Sequence, residues 1–293
     1  MKIILHSPGH NGDIVLVLGI IKKLINDNLD KEFIIIPACS DYLFNELLSD
    51  RVIFEEHPVP WNIDKSIHYK TNFISENHDI LWNYHNGNIY INFWRVLVHD
   101  NYNCISLLNR PLFIINLLQD IYIKTRIKLF FHCINYKELI PILPYINIVY
   151  ITEKIKSYNK KLMFFYNQSS YSGCDTNYPS NINEILIQRL LAQYGEDYKI
   201  ILSKPCDIIH KNLINVETEF GNFPSHDGKN LIINANIANL CDMVFFKNNG
   251  GSFFLLNQIN IANKNVKYNF IGETCYFNII KNEYELECTL LSI

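Results

Sequence analysis

Two glycine-containing loops carry the residues that are best suited to chemistry. Each loop stands between an apolar, strand-like run and a segment with helical periodicity. The first covers residues 9–13 and follows the run at residues 2–6, and the second covers residues 247–252 and follows the run at residues 243–246. A strand, a glycine loop and a helix start in this order place backbone N–H groups where an anion can bind. Both loops are therefore candidate binding sites.

The later loop reads Lys247-Asn248-Asn249-Gly250-Gly251-Ser252. Its two adjacent glycines allow a ligand to approach the backbone, and the N–H groups of a helix start favour a phosphate or a diphosphate. Lys247 and Asn249 could add side-chain donors, and Ser252 could cap the helix. The alternative is an ordinary turn between a strand and a helix, in which the glycines only supply positive φ angles.

The earlier loop contains His10-Asn11-Gly12-Asp13. An aspartate at the rim of a binding site could take a proton from an incoming hydroxyl, which would make Asp13 a general base. Aspartate is also one of the best helix N-caps, so a purely structural role for Asp13 stays open. His10 could donate a hydrogen bond to a phosphate or a sugar, and Gly12 would let the helix start lie close to the sheet. We group His10, Asn11 and Gly12 with Asp13 on the acceptor side of the site.

Three further sets of residues are weaker candidates. His85 and Trp94 belong to aromatic, hydrogen-bonding segments of the kind that suit a flat sugar face, although aromatic strands are more often part of a core. Ser169 and Ser170 follow a strand-like run and could face a second phosphate, or they could lie in an ordinary surface loop. The remaining histidines show no metal-ligand spacing, so the sequence implies no metal.

The elements that must position these residues alternate between strand and helix. Residues 2–6, 33–36 and 52–54 predict strands, with helices between them, and Asn86-Gly87 predicts a hairpin. Residues 107–131 predict helices interrupted at Arg110-Pro111. After a lysine-rich stretch near residue 155, the alternation resumes, with one continuous helix predicted for residues 252–262. This order indicates two doubly wound α/β domains, at residues 1–155 and 156–293.

Composition restricts the function classes. The chain has 293 residues and a net charge of −3, with neither half basic, so the positive footprint of a nucleic-acid-binding protein is missing. Its eight cysteines include no pair at zinc-ribbon spacing, and no segment has the length of a membrane span or the form of a signal peptide. We therefore expect reduced thiols and a cytoplasmic location. A Gly-x-Gly-x-x-Gly motif after the first strand is also missing, which argues against a nicotinamide-dependent oxidoreductase.

Two segments resemble a known family. The turn and helix at residues 12–24, and the segment at residues 230–252 with its Asn249-Gly250-Gly251-Ser252 loop, are similar to the bacterial heptosyltransferase-like glycosyltransferases of GT-B architecture. The resemblance implies two Rossmann-like domains that face a cleft. It further implies metal-independent transfer of a hexosyl or heptosyl group, with inversion, from a nucleotide sugar to the hydroxyl of a glycan or another acceptor, and no other cofactor.

The same resemblance assigns roles. It makes Asp13 the general base and Asn249, Gly250, Gly251 and Ser252 the donor loop. We add Lys247, Ser169 and Ser170 to the donor side, and we place His85 and Trp94 with the acceptor-side residues. The sequence departs from the family pattern in three places. Asn249 replaces an aspartate, Phe253-Phe254 stands where the family has a histidine, and a lysine expected within residues 167–178 has no counterpart. A catalytically inert protein that binds a nucleotide or a sugar on the same fold is therefore the alternative hypothesis.

Overall fold

The computed structural model describes residues 1–7, 11–37, 41–55, 81–93, 106–168, 181–221 and 228–291. The chain forms two compact units. The first comprises Met1–Pro144 with His226–Gly228, and the second comprises Tyr145–Ser225 and Lys229–Ile293. Each unit contains a largely or entirely parallel sheet with helices, so the prediction of two α/β units with doubly wound sheets is confirmed. A cleft between them stays a prediction.

The first unit is built on a five-stranded sheet of order β3-β2-β1-β5-β4. All neighbouring strands are parallel except β4 and β5. In chain order its elements are β1 (Lys2–Ser7), α1 (Asn11–Asp27), β2 (Glu32–Pro37), a 3-10 helix (Asp41–Leu47), β3 (Val52–Phe54), β4 (Trp82–His85), β5 (Asn88–Asn92), α2 (Arg110–Thr125) and a 3-10 helix (Tyr136–Leu139).

Helix α1 is the centre of this unit, and its apolar sequence explains its position. Every residue from 14 to 21 is buried, so the helix is enclosed by other elements. A Cβ atom on Gly19 would lie 2.2 Å from the carbonyl oxygen of Leu139, so only glycine allows this close contact. The guanidinium of Arg110 donates to the carbonyl oxygen of Leu16 over 2.5 Å and fastens the start of α2 to α1.

The predicted hairpin is confirmed. Strands β4 and β5 pair antiparallel across Asn86 and Gly87, whose φ angles are 49° and 76°. Two consecutive positive φ angles define the tight turn that matches the twist of hairpin strands, and Asn-Gly adopts them at low cost. The indole Nε1 of Trp82 donates to the Asp120 carboxylate over 2.8 Å, which connects β4 to α2.

The second unit has a six-stranded, fully parallel sheet of order β11-β10-β9-β6-β7-β8. In chain order its elements are α3 (Val149–Lys156), β6 (Lys161–Phe165), α4 (Ile182–Tyr194), β7 (Tyr198–Leu202), β8 (Leu213–Asn215), α5 (Val216–Phe220), α6 (Lys229–Asn239), β9 (Met243–Lys247), a 3-10 helix (Gly250–Leu255), α7 (Gln258–Ala262), β10 (Lys267–Ile271), α8 (Thr274–Asn282) and β11 (Cys288–Leu291).

The core of this unit forms where α4 covers the central strands. Side chains of β6, β7, β9, β10 and α4 make one buried cluster, which consists of Met163, Phe165, Ile187, Leu190, Ile200, Leu202, Phe245 and Ile271. Strands that are buried on both faces need continuous apolar runs, and β6 and β9 have them. This packing fixes the carboxyl ends of β6 and β9 side by side.

Two helix predictions were wrong in their details. Pro111 does not interrupt a helix; it stands in the first turn of α2, where its missing N–H removes no helical hydrogen bond. Residues 252–262 do not form one continuous helix. The 3-10 helix ends at Leu255, and α7 starts anew because the Asn257 side chain accepts a hydrogen bond from the Asn260 N–H over 3.1 Å.

The division of the chain falls after Pro144, earlier than the predicted boundary near residue 155. That predicted boundary lies within α3, and α3 is bound to the second unit. The Tyr150 hydroxyl donates to the carbonyl oxygen of Phe220 over 2.7 Å, and Lys154 pairs with the Glu219 carboxylate at 2.9 Å. The hydrogen bond from Lys154 also lowers the pKa of Glu219. The polar, lysine-rich sequence of α3 therefore marks its exposed face rather than a linker.

Candidate functional site

The loop after β9 lies at the topological switch point of the second sheet, where the side on which the chain adds new strands changes. From β6 the chain adds β7 and β8 on one side, and it then returns to add β9, β10 and β11 on the other side. The chain therefore leaves the carboxyl ends of β6 and β9 toward opposite sides of the sheet, and these strand ends form its topological switch point. Open α/β sheets bind ligands outside the carboxyl ends of the strands at such a point. The predicted donor loop, residues 247–252, begins at the carboxyl end of β9.

The loop is shaped by two of its own side chains. The side-chain oxygen of Asn249 accepts a hydrogen bond from the Ser252 N–H over 2.9 Å, and the Ser252 hydroxyl donates to the carbonyl oxygen of Lys247 over 2.5 Å. Asn249 and Ser252 are only 3% and 1% exposed, and Lys247 is fully buried. These three side chains were predicted to contact the donor; in the structure they lie inside the unit, beneath the loop surface.

The position of Asn249 explains why this residue is an amide. Its Nδ2 donates to the carbonyl oxygen of Gln168 over 3.0 Å, so Asn249 joins the loop after β9 to the end of β6. A carboxylate at this position could accept from Ser252 but could not donate to Gln168, and it would oppose a carbonyl oxygen in a buried environment. The departure from the family aspartate thus has a local structural cause.

Gly251 is required by a tyrosine. A Cβ atom at this position would lie 1.7 Å from the hydroxyl oxygen of Tyr166, so no larger residue fits without displacing that ring. Tyr166 follows β6 and is buried; its N–H donates to the carbonyl oxygen of Phe245 over 2.9 Å, and its hydroxyl lies 2.9 Å from Oε1 of Gln168. The second glycine of the motif therefore serves close packing beneath the loop.

Three residues of the loop are partly accessible. Asn248, Gly250 and Gly251 are half-buried, whereas their neighbours Lys247, Asn249 and Ser252 are buried. The Ser252 N–H already donates to the Asn249 side chain. Any contact of the loop with an anion is therefore left to Asn248 and to the peptide groups around the two glycines, and such a contact stays a prediction.

A second polar cluster lies at the adjacent strand ends and was not predicted. The Asn167 side-chain oxygen accepts from the Ser203 hydroxyl over 3.0 Å and from the Lys204 N–H over 2.9 Å. Asn167 thereby joins the end of β6 to the end of β7. The half-exposed Lys204 pairs with the Glu217 carboxylate of α5. The cluster brings an ammonium group to the carboxyl edge of the second sheet.

The first unit has an equivalent switch point at β1. The chain adds β2 and β3 on one side of β1, and it then returns to add β4 and β5 on the other side. Helix α1 follows β1 there and begins at Asn11, so Gly12 is its second residue and Asp13 its third. Gly12 is buried and Asp13 is half-buried. Asp13 therefore lies inside the first turn, not at the capping position, and a negative charge there is stabilised by the helix dipole. Two buried polar residues, His6 and Asn92, pair in register at the ends of β1 and β5.

The structure does not bring all predicted acceptor-side residues together. His85 pairs with Asn88 at the opposite edge of the sheet, four positions of β5 before Asn92, which corresponds to roughly 13 Å along the strand. The hairpin was predicted, but not that β5 runs parallel to β1, which places the turn and His85 at the edge opposite to the carboxyl end of β1. His10, Trp94, Ser169 and Ser170 lie outside the described residues, and so does the side chain of Asn11.

The residues that sequence reasoning missed share one signal. His6, Asn92, Asn167 and Ser203 are polar residues within two positions of the end of an apolar strand, and each is at most 5% exposed. A polar side chain that is buried at a strand end needs hydrogen-bonding partners, so it marks the edge at which strands meet. Nothing in the spacing of these residues shows which of them lie on neighbouring strands.

Other features of the described residues bear on the chemistry. No three histidine, cysteine, aspartate or glutamate side chains within them are grouped closely enough to hold a metal ion. The five cysteines that they include (Cys133, Cys206, Cys241, Cys275 and Cys288) are free, and burial raises the pKa of the Cys241 thiol. Among the helices of the described ranges, none combines the length and the hydropathy that crossing a membrane requires.

Comparison with known proteins gives structural relatives only. No protein-family model matches the chain, and no curated protein sequence matches it. The structural relatives are glycosyltransferases. A family 9 glycosyl transferase from Veillonella parvula superposes with a TM-score of 0.48 and 12% identity, over 100% of this chain and 86% of that one. The E. coli heptosyltransferase WaaC with ADP gives a TM-score of 0.38 and 13% identity, over 92% and 87%.

A further structure of the same E. coli enzyme, with ADP-2-deoxy-2-fluoro heptose, gives a TM-score of 0.40 and 11% identity. It covers 92% of this chain and 88% of that chain. At such identities the likeness concerns the backbone fold.

Proposed function

We propose that the protein is a glycosyltransferase that moves a sugar from a nucleotide-sugar donor to an acceptor hydroxyl. The observation that carries the proposal is the position of the two motifs. Each motif was selected in the sequence by its residue types. In the structure each lies in its own unit, next to the topological switch point of the sheet. This is the place where open α/β sheets bind ligands. A protein with two such sites can hold two substrates.

The donor site of the proposal is the loop after β9. The peptide groups of Gly250 and Gly251 face the diphosphate, while buried Asn249 and Ser252 hold the loop in shape. A preformed set of backbone donors stabilises the charge that develops on a leaving nucleoside diphosphate. Lys204 is the proposed cationic partner, since its backbone is fixed at the neighbouring strand end by Asn167. No metal ion takes part in this mechanism.

The acceptor site of the proposal is the first turn of α1. Asp13 removes the proton from the acceptor hydroxyl as the oxygen attacks the anomeric carbon, and the bond from that carbon to the diphosphate breaks on the opposite side. The product therefore has inverted configuration. Its half-buried position gives Asp13 access to a substrate, and its place inside the helix leaves the capping role to an earlier residue. The proposed location is the cytoplasm, where free thiols such as those described persist.

An inert nucleotide- or sugar-binding protein is the second candidate function. The observation that favours it is that Lys247, Asn249 and Ser252 are buried, so the loop presents no cationic side chain of its own and Asn248 is its one partly accessible polar side chain. Such a protein would bind a nucleotide sugar through the same peptide groups and would not turn it over.

A thermal-shift screen with UDP, GDP, ADP and CMP sugars tests both candidates. A ligand that binds only the native state raises the melting temperature by mass action, so one nucleotide class should stabilise the protein. Release of the nucleotide in the presence of a broad acceptor panel then separates an enzyme from an inert binder. If no nucleotide sugar stabilises the protein at millimolar concentration, neither candidate stands.

A further inference from the structure

A glutamate lies beside the predicted donor loop, at the carboxyl end of the neighbouring strand. Strand β10 ends at Ile271, which pairs in register with Lys247, the last residue of β9. Glu273 is two residues past the end of β10, as Asn249 is two residues past the end of β9. The chain therefore leaves these two strands about 5 Å apart, which is the spacing of neighbouring strands. Glu273 is exposed, so a ligand at this edge of the sheet can reach it.

The turn that carries Glu273 is held by close packing. A Cβ atom on Gly272 would lie 2.6 Å from the ring of Phe270, which is fully buried in β10. Any larger residue at position 272 would force this ring to move. The Cys275 thiol donates to Oε2 of Glu273 over 3.5 Å. Both contacts restrict the region in which the carboxylate can lie.

Helix capping does not explain a glutamate at this position. Glu273 is the N-cap residue of α8, but its side chain makes no capping hydrogen bond. The preferred N-caps are the shorter aspartate, asparagine, serine and threonine. A carboxylate also has about four acceptor sites, so the contact with the Cys275 thiol leaves capacity for further donors. An exposed carboxylate that does not cap its helix is suited to contact a ligand.

Charged groups stand in a defined order along the carboxyl edge of the second sheet. The sheet order β10-β9-β6-β7 separates the strand that precedes Glu273 from the strand that precedes Lys204 by about 14 Å, with β9 and its loop between them. A diphosphate is attracted by Lys204 and repelled by Glu273. Uncharged hydroxyl groups, by contrast, donate hydrogen bonds to a carboxylate. The edge therefore distinguishes the charged part of a donor from its hydroxyl-bearing parts.

We propose that Glu273 binds a vicinal diol of the nucleotide sugar. This inference rests on the proposed function and adds the direction in which the donor lies. The diphosphate lies at the loop after β9, on its Lys204 side, and the diol lies toward β10. The two carboxylate oxygens accept from adjacent hydroxyls, as acidic residues of dinucleotide-binding sheets accept from a ribose. The ribose and the transferred sugar both offer this chemistry.

Titration calorimetry of the full chain tests the proposal. The probes are ADP-glucose, UDP-glucose and GDP-mannose, together with ADP, UDP and GDP. Glu273→Gln should raise the Kd of the nucleotide sugar that binds by about tenfold, the effect of a hydrogen bond to a charged group. Glu287→Gln is the matched control, because Glu287 is exposed and precedes β11 at the opposite end of the sheet. It should leave the Kd unchanged. Circular dichroism and the melting temperature verify that both variants are folded.

The plain nucleotides separate the two sources of the diol. If the diol belongs to the transferred sugar, Glu273→Gln weakens binding of the nucleotide sugar and not of the nucleoside diphosphate. If it belongs to the ribose, both bind more weakly to the variant, and the 2′-deoxy nucleotide binds the wild type and the variant equally. Either result supports the proposal.

Two results would overturn the proposal while leaving the proposed function intact. The folded Glu273→Gln variant binds the nucleotide sugar as tightly as the wild type does, or it binds more tightly because the carboxylate only repels the diphosphate. Failure of the proposed function has a different signature. In that case the wild-type chain itself binds none of the nucleotide sugars, and both proposals fall together.

Discussion

The two units place their candidate sites at equivalent points of their sheets but form them from different groups. In the second unit, buried side chains shape a loop whose partly accessible residues are Asn248, Gly250 and Gly251. In the first unit, a half-buried carboxylate, Asp13, stands in the first turn of a helix that is otherwise enclosed. Peptide N–H groups hold an anion without titrating, whereas a carboxylate can accept a proton. Under the proposed function, the second unit binds the donor and the first unit provides the general base.

The largest expected effect comes from Asp13→Asn. Removing a general base typically lowers the rate by a factor of 10² to 10⁴, so we expect kcat for sugar transfer to fall by at least about a hundredfold. Stabilisation by the nucleotide sugar should be unchanged, because the donor loop belongs to the other unit. Initial rates and thermal shifts on the same preparation measure both quantities. Full activity in a folded variant would exclude Asp13 as the base.

Gly251→Ala should disrupt the donor side. The new methyl group would meet the Tyr166 hydroxyl, so the ring or the loop must move, at a cost of about 1–3 kcal/mol in the free energy of unfolding. We expect stabilisation by the nucleotide sugar to be lost. The double variant Gly251→Ala/Tyr166→Phe removes the nearest contact and should recover part of the stability. Chemical denaturation provides the measurement, and unchanged stability together with unchanged binding would contradict the packing role of Gly251.

Asn249→Asp tests the departure from the family pattern. The carboxylate keeps the acceptor for Ser252 but loses the donor to Gln168, so the free energy of unfolding should fall by about 1–3 kcal/mol. Asn147→Asp is the control, since the exposed Asn147 side chain accepts from the Val149 N–H over 3.1 Å and an aspartate keeps this bond, so the free energy of unfolding should change little. If Asn249→Asp instead stabilises the protein, the hydrogen bond to Gln168 does not decide the residue at this position.

The smallest effects are expected from the pair Lys204 and Glu217. Lys204→Met removes a positive charge from the carboxyl edge of the second sheet, and we expect the Kd for the nucleotide sugar to rise up to about tenfold. Glu217→Gln releases the same ammonium from its ion pair and should lower Kd a few-fold. Titration calorimetry measures both. If both substitutions raise the Kd, or if both lower it, the ion pair affects the stability of the protein and not the charge that the ligand meets.

The sequence predicted the two units and most of their strands because apolar runs and turn residues are local signals. The Asn86-Gly87 hairpin and the loop after β9 were found in this way. Contacts between distant segments were not predictable. Asn249 reaches Gln168, and Gly251 packs under Tyr166, across about eighty residues of sequence. The sequence could indicate that residues 247–252 form a loop, but it could not show which of them the fold would bury.

His85 also shows that pairing between distant segments could not be predicted from the sequence. Its segment has the composition of a sugar-binding surface, and the hairpin itself was predicted correctly. The direction of β5 relative to β1 decides which end of the hairpin lies next to Asp13, and this direction is set by pairing between β1 and β5 over eighty residues apart. Composition contains no information about that pairing, so His85 was assigned to the wrong edge.

Glycine-selective ¹⁵N labelling offers the most direct test of the central claim that peptide groups of the second unit bind the nucleotide sugar. The chain contains 11 glycines, so the amide spectrum is simple, and the signal of Gly250 can be assigned with Gly250→Ala. A stabilising nucleotide sugar should shift the Gly250 and Gly251 amides far more than that of Gly87, which lies in the hairpin of the first unit. Saturable binding that leaves both signals unchanged would contradict it.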